Sequence, residues 1–179
     1  MKSNKNLIIF AAVLTCVFVL TFSANAQKRK SPVKKKKTTA TATTTATASS
    51  EIKLGAEKVS TQIKNLSKFI YKLGDIARVT EDLDREIAAG RASSNAPSLN
   101  ERNKRAVVTA VKDLRIGFAA LEVEFRTKPA LKNYVSQIQG ISDMTGLAED
   151  QASAGQLIDS GKTLLLVVEK LTDTLASLP

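Results

Sequence analysis

The residues best suited to chemistry by type and spacing form an acidic cluster at Glu81, Asp82, Asp84 and Glu86. Clustered carboxylates supply the oxygen ligands that a hard cation such as Ca²⁺ prefers. On a helix these carboxylates point in several directions, and Arg78 and Arg85 are close enough in sequence to pair with them. We therefore interpret the cluster as a solvated, charged helix face.

A second candidate is a basic patch at Arg102, Lys104, Arg105 and Arg115. Its charge suits a phosphate group, but Glu101 and Asp113 lie beside it in the sequence. Surface ion pairing is the preferred interpretation, because opposite charges three or four residues apart on a helix are neighbours.

Two glutamates and two tyrosines complete the candidates. Glu122 and Glu124 are two residues apart and face different sides of a helix, so they do not form a general acid/base pair. Tyr71 and Tyr134 have the chemistry to line a small-molecule cleft. The preferred interpretation places both tyrosines at the edge of a core, with their hydroxyl groups in water.

The composition excludes most common kinds of active site. The chain has no histidine, and its one cysteine is Cys16 in an N-terminal apolar run. The usual soft-metal ligands, the commonest general base and the Glu-x-x-His pairs of di-iron bundles are therefore missing. The motifs of P-loop, dinucleotide-binding and zinc-protease sites are missing as well. The sequence predicts no catalytic residue, no metal and no cofactor, and we expect a protein that is not an enzyme.

Residues 1–26 have the order of a secretory signal peptide. Met1–Asn6 carries two lysines, Leu7–Phe22 is an apolar run, and Ala24 and Ala26 have the A-x-A spacing of a cleavage site. The mature chain would begin at Gln27. This pattern predicts an exported protein, either periplasmic or extracellular.

An uncleaved, single-pass membrane anchor is the competing interpretation. Leu7–Ala26 holds 20 residues without a charge, which is long enough to span a bilayer. The positive charges that follow would tend to remain cytoplasmic, which would place the C-terminal domain inside the cell. We prefer export because the A-x-A site is well placed.

Residues 27–50 form a basic tail and a Thr/Ala linker, and we predict that they are disordered. Like charges repel in the tail, and the linker has no large apolar side chain to offset its ordering entropy. Contact with an anionic envelope surface or polymer is assigned to Lys28, Arg29, Lys30, Lys34, Lys35, Lys36 and Lys37. Nucleic acid is disfavoured because no aromatic residue interleaves the run, and a solvated spacer without a partner is the alternative.

The clearest structural pattern lies in residues 107–125. Apolar side chains recur there in steps of four and three, at Val107, Val111, Leu114, Phe118, Leu121 and Phe125. This spacing predicts a helix with a narrow apolar seam, of the kind that packs against other helices. A capping box at Ser98 and Glu101 would start this helix near Leu99, and it would end near Arg126.

Three further helices are expected in residues 51–179. The first covers about residues 51–89, with a seam from Ile52 to Leu73, a shift of seam phase at Gly74 and a C-terminal glycine at Gly90. The third covers about residues 129–149 and is weakened by two glycines. The fourth would be capped by Ser153 and carries a seam from Leu157 to Leu178.

These elements predict an all-α fold, an up-down four-helix bundle of coiled-coil character over residues 51–179, or a three-helix variant if the third element fails. The leading functional hypothesis is an exported, non-enzymatic bundle that binds or organises a cell-envelope partner. A protein partner or self-association through the helices is compatible with it. The alternative is a membrane-anchored sensory or small-ligand-binding helical domain.

We predict that the signal peptidase cleaves after Ala26, because the A-x-A site follows the apolar run of Leu7–Phe22 directly. Intact mass and N-terminal sequencing of the protein made by cells from the full-length chain will show a chain beginning at Gln27. A purified chain that retains Leu7–Phe22 would contradict export and favour the membrane anchor.

Overall fold

The computed structural model describes the backbone of residues 40–179 and side chains from Thr47 onward. This region is all-helical, with no strand. It contains a 3-10 helix, Pro129–Tyr134, and five α-helices: α1 (Ala40–Ala88), α2 (Ala96–Thr127), α3 (Val135–Ile138), α4 (Ile141–Ser153) and α5 (Leu157–Ser177). None of the helices in residues 40–179 combines the length and hydropathy needed to cross a membrane.

The start of α1 corrects the predicted extent of disorder. α1 begins at Ala40, so residues 40–50, which the composition predicted to be disordered, are helical. A helix anchored further along the chain extends at little cost once its first turns exist. The predicted signal peptide and residues 27–39 lie outside the described residues.

The predicted seam of α2 is confirmed as core. All six of its apolar residues are buried, and Val111, Phe118 and Phe125 have no exposed surface. The seam of α1 is confirmed through Leu73, with Val59, Leu66 and Leu73 buried. A strict repeat of threes and fours therefore places one face of each helix against its neighbours.

The predicted shift of phase at Gly74 is wrong. α1 is continuous through Gly74, and its buried residues follow the same spacing beyond it, with Ala77 and Thr80 in the seam. The next seam positions are Asp84 and Ile87. The pattern looked broken in the sequence because polar residues occupy two seam positions, not because the register changes.

The third predicted helix is divided in the structure. Pro129 starts a 3-10 helix instead of an α-helix, and α3 is a single turn. Gly140 adopts a left-handed conformation with φ of 93° and separates α3 from α4. A residue with a side chain is strained at such an angle, so this glycine fixes the break. Within residues 40–179 the structure has five α-helices and a 3-10 helix where the sequence predicted four helices, and the all-α class is confirmed.

The helix ends confirm one predicted signal and correct two. Gly90 lies just after α1 with φ of 66°, and Arg91 N donates to Glu86 O at 3.0 Å, as in a Schellman motif. α2 begins at Ala96 instead of Leu99, without a capping-box hydrogen bond, because Pro97 favours the first turn of a helix. Ser153 ends α4 and does not cap α5, whose N-cap residue is Gln156.

The long helices pack side by side in a bundle-like arrangement. α1 packs against α2 and α5, and α4 packs against the same two helices, so α2 and α5 lie between α1 and α4. Lys58 of α1 contacts Glu124 near the end of α2, which fixes the antiparallel register of these two helices. Gly55 permits a close approach to α1, because a Cβ atom there would lie 2.9 Å from Leu131 Cδ2.

The end of the α1/α2 hairpin is held by polar contacts. Asn100 is 1% exposed, and its Nδ2 atom donates to Asp84 Oδ1 at 2.6 Å. Lys104 Nζ lies 3.1 Å from the Asp84 carboxylate. The seams of α1 and α2 continue to this end of the hairpin through Asp84, Asn100 and Lys104. Polar contacts therefore replace apolar burial in this part of the interface and fix the register of the two helices.

We predict that the α2 seam dominates the stability of the helical region. Phe118 is completely buried and Leu114 is 8% exposed, so truncation leaves a cavity that the neighbouring helices cannot fill. Leu114→Ala should lower the free energy of unfolding by about 2–5 kcal/mol and Phe118→Ala by about 3–5 kcal/mol, measured by urea denaturation. Lys112→Ala, on the exposed side of α2, is the control. Equal destabilisation by Lys112→Ala and Leu114→Ala would contradict the assigned core face.

Candidate functional site

The seven basic residues assigned to anion contact, Lys28 to Lys37, lie outside the described residues. The acidic cluster is within them, at the C-terminal end of α1. Asp82 pairs with Arg85, as expected, whereas Arg78 pairs with Asp75. In the part of the chain from residue 40 onward, no three metal-ligating side chains come together.

The structure divides the predicted basic patch. Lys104 pairs with Asp84 and Glu101, and Arg115 Nε lies 2.6 Å from Glu149 Oε2 across the α2–α4 interface. Arg102 and Arg105 instead line a shallow cleft of about 240 Å³ together with Ser98, on the outer surface of α2. Two of the four basic residues therefore connect helices, and two remain at the surface.

Glu122 is buried and connects α2 with the start of α4. Its Oε1 atom accepts hydrogen bonds from Gly140 N at 2.9 Å and from Ser142 N at 3.0 Å. Arg126 Nη2 donates to Oε2 at 3.0 Å. The carboxylate thus caps a helix from a neighbouring helix, where the N-terminal dipole favours negative charge.

Glu124 connects the same end of α2 with α1. Lys58 Nζ lies 2.6 Å from Oε2, and Lys128 Nζ lies 2.5 Å from Oε1 as an ion pair without regular hydrogen-bond alignment. Burial raises the pKa of Glu124, but the contacts and positive charges of Lys128 and Lys58 outweigh this effect. The pKa therefore lies below its ordinary value of 4.5.

These positions confirm that Glu122 and Glu124 face different sides of α2. The sequence pattern did not predict their structural roles. A signal for Glu122 exists, because it follows Phe118 by four residues and lies between Leu121 and Phe125, on the buried face of the helix. A charged residue at such a position needs partners, and here they are backbone N–H groups and an arginine.

The sequence patterns also gave no prediction for the exposed side of α1. Lys64, Lys68 and Lys72 are all exposed and follow one another at intervals of four residues. Tyr71 is 79% exposed, so its predicted position at a core edge is wrong. Tyr134, in contrast, is partly buried and packs against the core, in agreement with its prediction. The four-residue lysine spacing was visible in the sequence and marks a single helix face.

We predict that Glu124 contributes a pH-dependent part of the stability. Because its folded pKa is lowered, the contribution is complete above the unfolded pKa of about 4.5 and is lost as the pH falls through the folded value. Glu124→Gln should therefore lower the free energy of unfolding by about 1 kcal/mol at neutral pH. Urea denaturation of both proteins should show this gap closing as the pH falls below the unfolded pKa of about 4.5.

Glu169→Gln is the control for this measurement, since Glu169 is exposed on α5 and makes no ion pair among the described residues. It should change stability little at either pH. An unchanged gap between Glu124→Gln and the wild type from neutral to acidic pH would contradict the assigned ion pairs.

Comparison with known proteins does not assign the chain to a family. No protein-family model, curated protein or solved structure matches it.

Proposed function

We propose that this protein is an exported, non-enzymatic helical-bundle protein that binds or organises a partner at the cell envelope. Residues 51–179 would form an up-down bundle in which α1, α2, α4 and α5 are the principal helices. The basic tail of residues 27–37 would bring this bundle to an anionic surface. Support for export comes from the signal-peptide pattern of residues 1–26.

The uneven distribution of charge carries this proposal. Residues 27–37 hold seven Lys and Arg residues and no acidic residue. From Glu51 onward, 18 Lys and Arg residues face 17 Asp and Glu residues. Long-range attraction to an anionic surface would therefore come mainly from the tail, which has no aromatic residue that could insert.

The non-enzymatic assignment is supported by how the strongest candidate residues are used. Glu122, Glu124 and Arg115 make contacts between helices. The absence of histidine from the sequence removes the commonest general base. Because these residues hold the helices of the bundle together, binding is favoured over catalysis as the function of the bundle.

The test is co-sedimentation with vesicles, using protein made by cells from the full-length chain. We predict binding to vesicles of equal parts phosphatidylcholine and phosphatidylglycerol at low salt, with none to phosphatidylcholine alone. Each lysine near an anionic surface contributes about 1 kcal/mol, so Lys35, Lys36 and Lys37 together account for about 100-fold in affinity. Their triple replacement by Gln should reduce binding by about that factor, and raised salt should weaken wild-type binding steeply.

The matched control removes three other positive charges, with Lys112, Lys132 and Lys170 replaced by Gln. In the described region these lysines make no ion pair and lie on different elements. The control should lose less than about threefold in affinity. Equal losses in the two triple variants would contradict a tail-directed contact, and absence of wild-type binding would remove the basis of the envelope proposal.

A further inference from the structure

The exposed side of α1 carries a row of unpaired positive charge, which we call the lysine row: Lys64, Lys68 and Lys72. Steps of four residues place these side chains about 6 Å apart along the helix axis. Residues 58–74 contain four lysines and no acidic residue, and only Lys58 makes an ion pair within the described residues. Three neighbouring ammonium groups are therefore available to an external anion.

Apolar side chains lie on the same side of α1 as the lysine row. Tyr71 is 79% exposed, Leu54 is 44% exposed and Val79 is 41% exposed. With 3.6 residues per turn, these three positions and the lysine row fall within an arc of about 100°. Glu57 and Asp75 fall within the same arc beyond the two ends of the lysine row, and Asp75 is paired with Arg78. This face thus presents cationic side chains together with apolar ones, as helices at a membrane interface do.

The opposite side of the bundle has the opposite charge. α4 carries the exposed Asp143 and Asp150 and no basic residue, while its third acidic residue, Glu149, is paired with Arg115 of α2. α2 and α5 lie between α1 and α4, so the lysine row and these two exposed carboxylates face away from each other. A negatively charged surface would attract the α1 side and repel the α4 side, which gives the bound protein one orientation.

We propose that the lysine row and Tyr71 form a membrane-contact face, on which α1 lies against the phosphate groups of anionic lipids. This inference rests on the proposed function and adds a second contact to that of the tail. A membrane suits the face better than a dissolved linear polyanion does, because only a membrane offers an apolar phase to Leu54, Tyr71 and Val79. A tyrosine ring is also suited to the headgroup level, where its hydroxyl group remains hydrated.

The first test replaces Lys64, Lys68 and Lys72 by Gln in the full-length chain and measures vesicle co-sedimentation as above. All three side chains are exposed, so thermal melts should match the wild type. Binding to anionic vesicles should fall by about 100-fold, against less than about threefold for the control with Lys112, Lys132 and Lys170 replaced. Equal losses in the two triple variants would overturn the membrane-contact face while leaving the tail contact intact.

The second test detects the contact at Tyr71 directly. The chain has no tryptophan and only two tyrosines, so Tyr134→Phe leaves Tyr71 as its only strongly fluorescent residue. Anionic vesicles should reduce quenching of this fluorescence by acrylamide at least about twofold, since membrane contact shields an exposed ring. In the matched variant Tyr71→Phe, quenching of the partly buried Tyr134 should not change.

The outcomes separate this inference from the proposed function. Vesicle binding with unchanged quenching of Tyr71 would show that the tail alone makes contact, and it would overturn the inference. Failure of the wild-type chain to bind anionic vesicles would overturn both proposals. Binding to dissolved linear polyphosphate without binding to vesicles would replace the membrane by a soluble polyanion.

Discussion

Burial of the apolar seam of α2 between α1 and α4 is the interaction on which the rest of this fold depends. Each large apolar side chain removed from water contributes about 1.5–3 kcal/mol, and Phe118 and Phe125 are completely buried. α4 has 13 residues, a length at which an isolated helix is marginal in water. It therefore depends on packing against α2 and α5, and on the cap that Glu122 supplies to its first turn.

The sequence predicted those parts of the fold whose signal is local and apolar. The α2 seam satisfies both conditions, and all six of its residues are buried as expected. The second half of α1 lacks such a signal, because the polar residues Thr80 and Asp84 occupy seam positions. The register of the seam is nevertheless continuous. Recognising the register requires knowledge of Asn100, the partner of Asp84, which lies 16 residues away across the hairpin.

Other differences between the predicted and the observed fold arise where two local conformational preferences compete. Pro129 permits a first helical turn, and the chain uses it to start a 3-10 helix. The low apolarity of residues 40–50 predicted disorder, but these residues continue a helix that is already anchored by Val59 and Leu66. Composition describes whether a segment would order by itself, whereas the structure also reflects what the segment is attached to.

Whether the lysine row can bind an anion depends on which charges are paired. A count of the charged residues in the sequence does not show this pairing. Lys58 pairs with the partly buried Glu124, whereas Lys64 and its two neighbours in the row have no acidic partner in the described region. Pairing of this kind depends on helix register, so it follows from the seams and not from charge spacing alone. The sequence showed the three lysines, but it did not show that they lack acidic partners in the described region.

The near-neutral total charge of residues 51–179 does not prevent a strong local interaction with an anionic surface. Neighbouring helix axes lie about 8–10 Å apart, so helices separated by a third are more distant still. The Debye length at physiological salt is about 8 Å, and a surface touching α1 is therefore largely screened from the acidic residues of α4. Attraction would depend on the net charge within that distance, which is positive at the lysine row. The bundle would then be held in one orientation, with α4 and its exposed acidic residues facing away from the membrane surface.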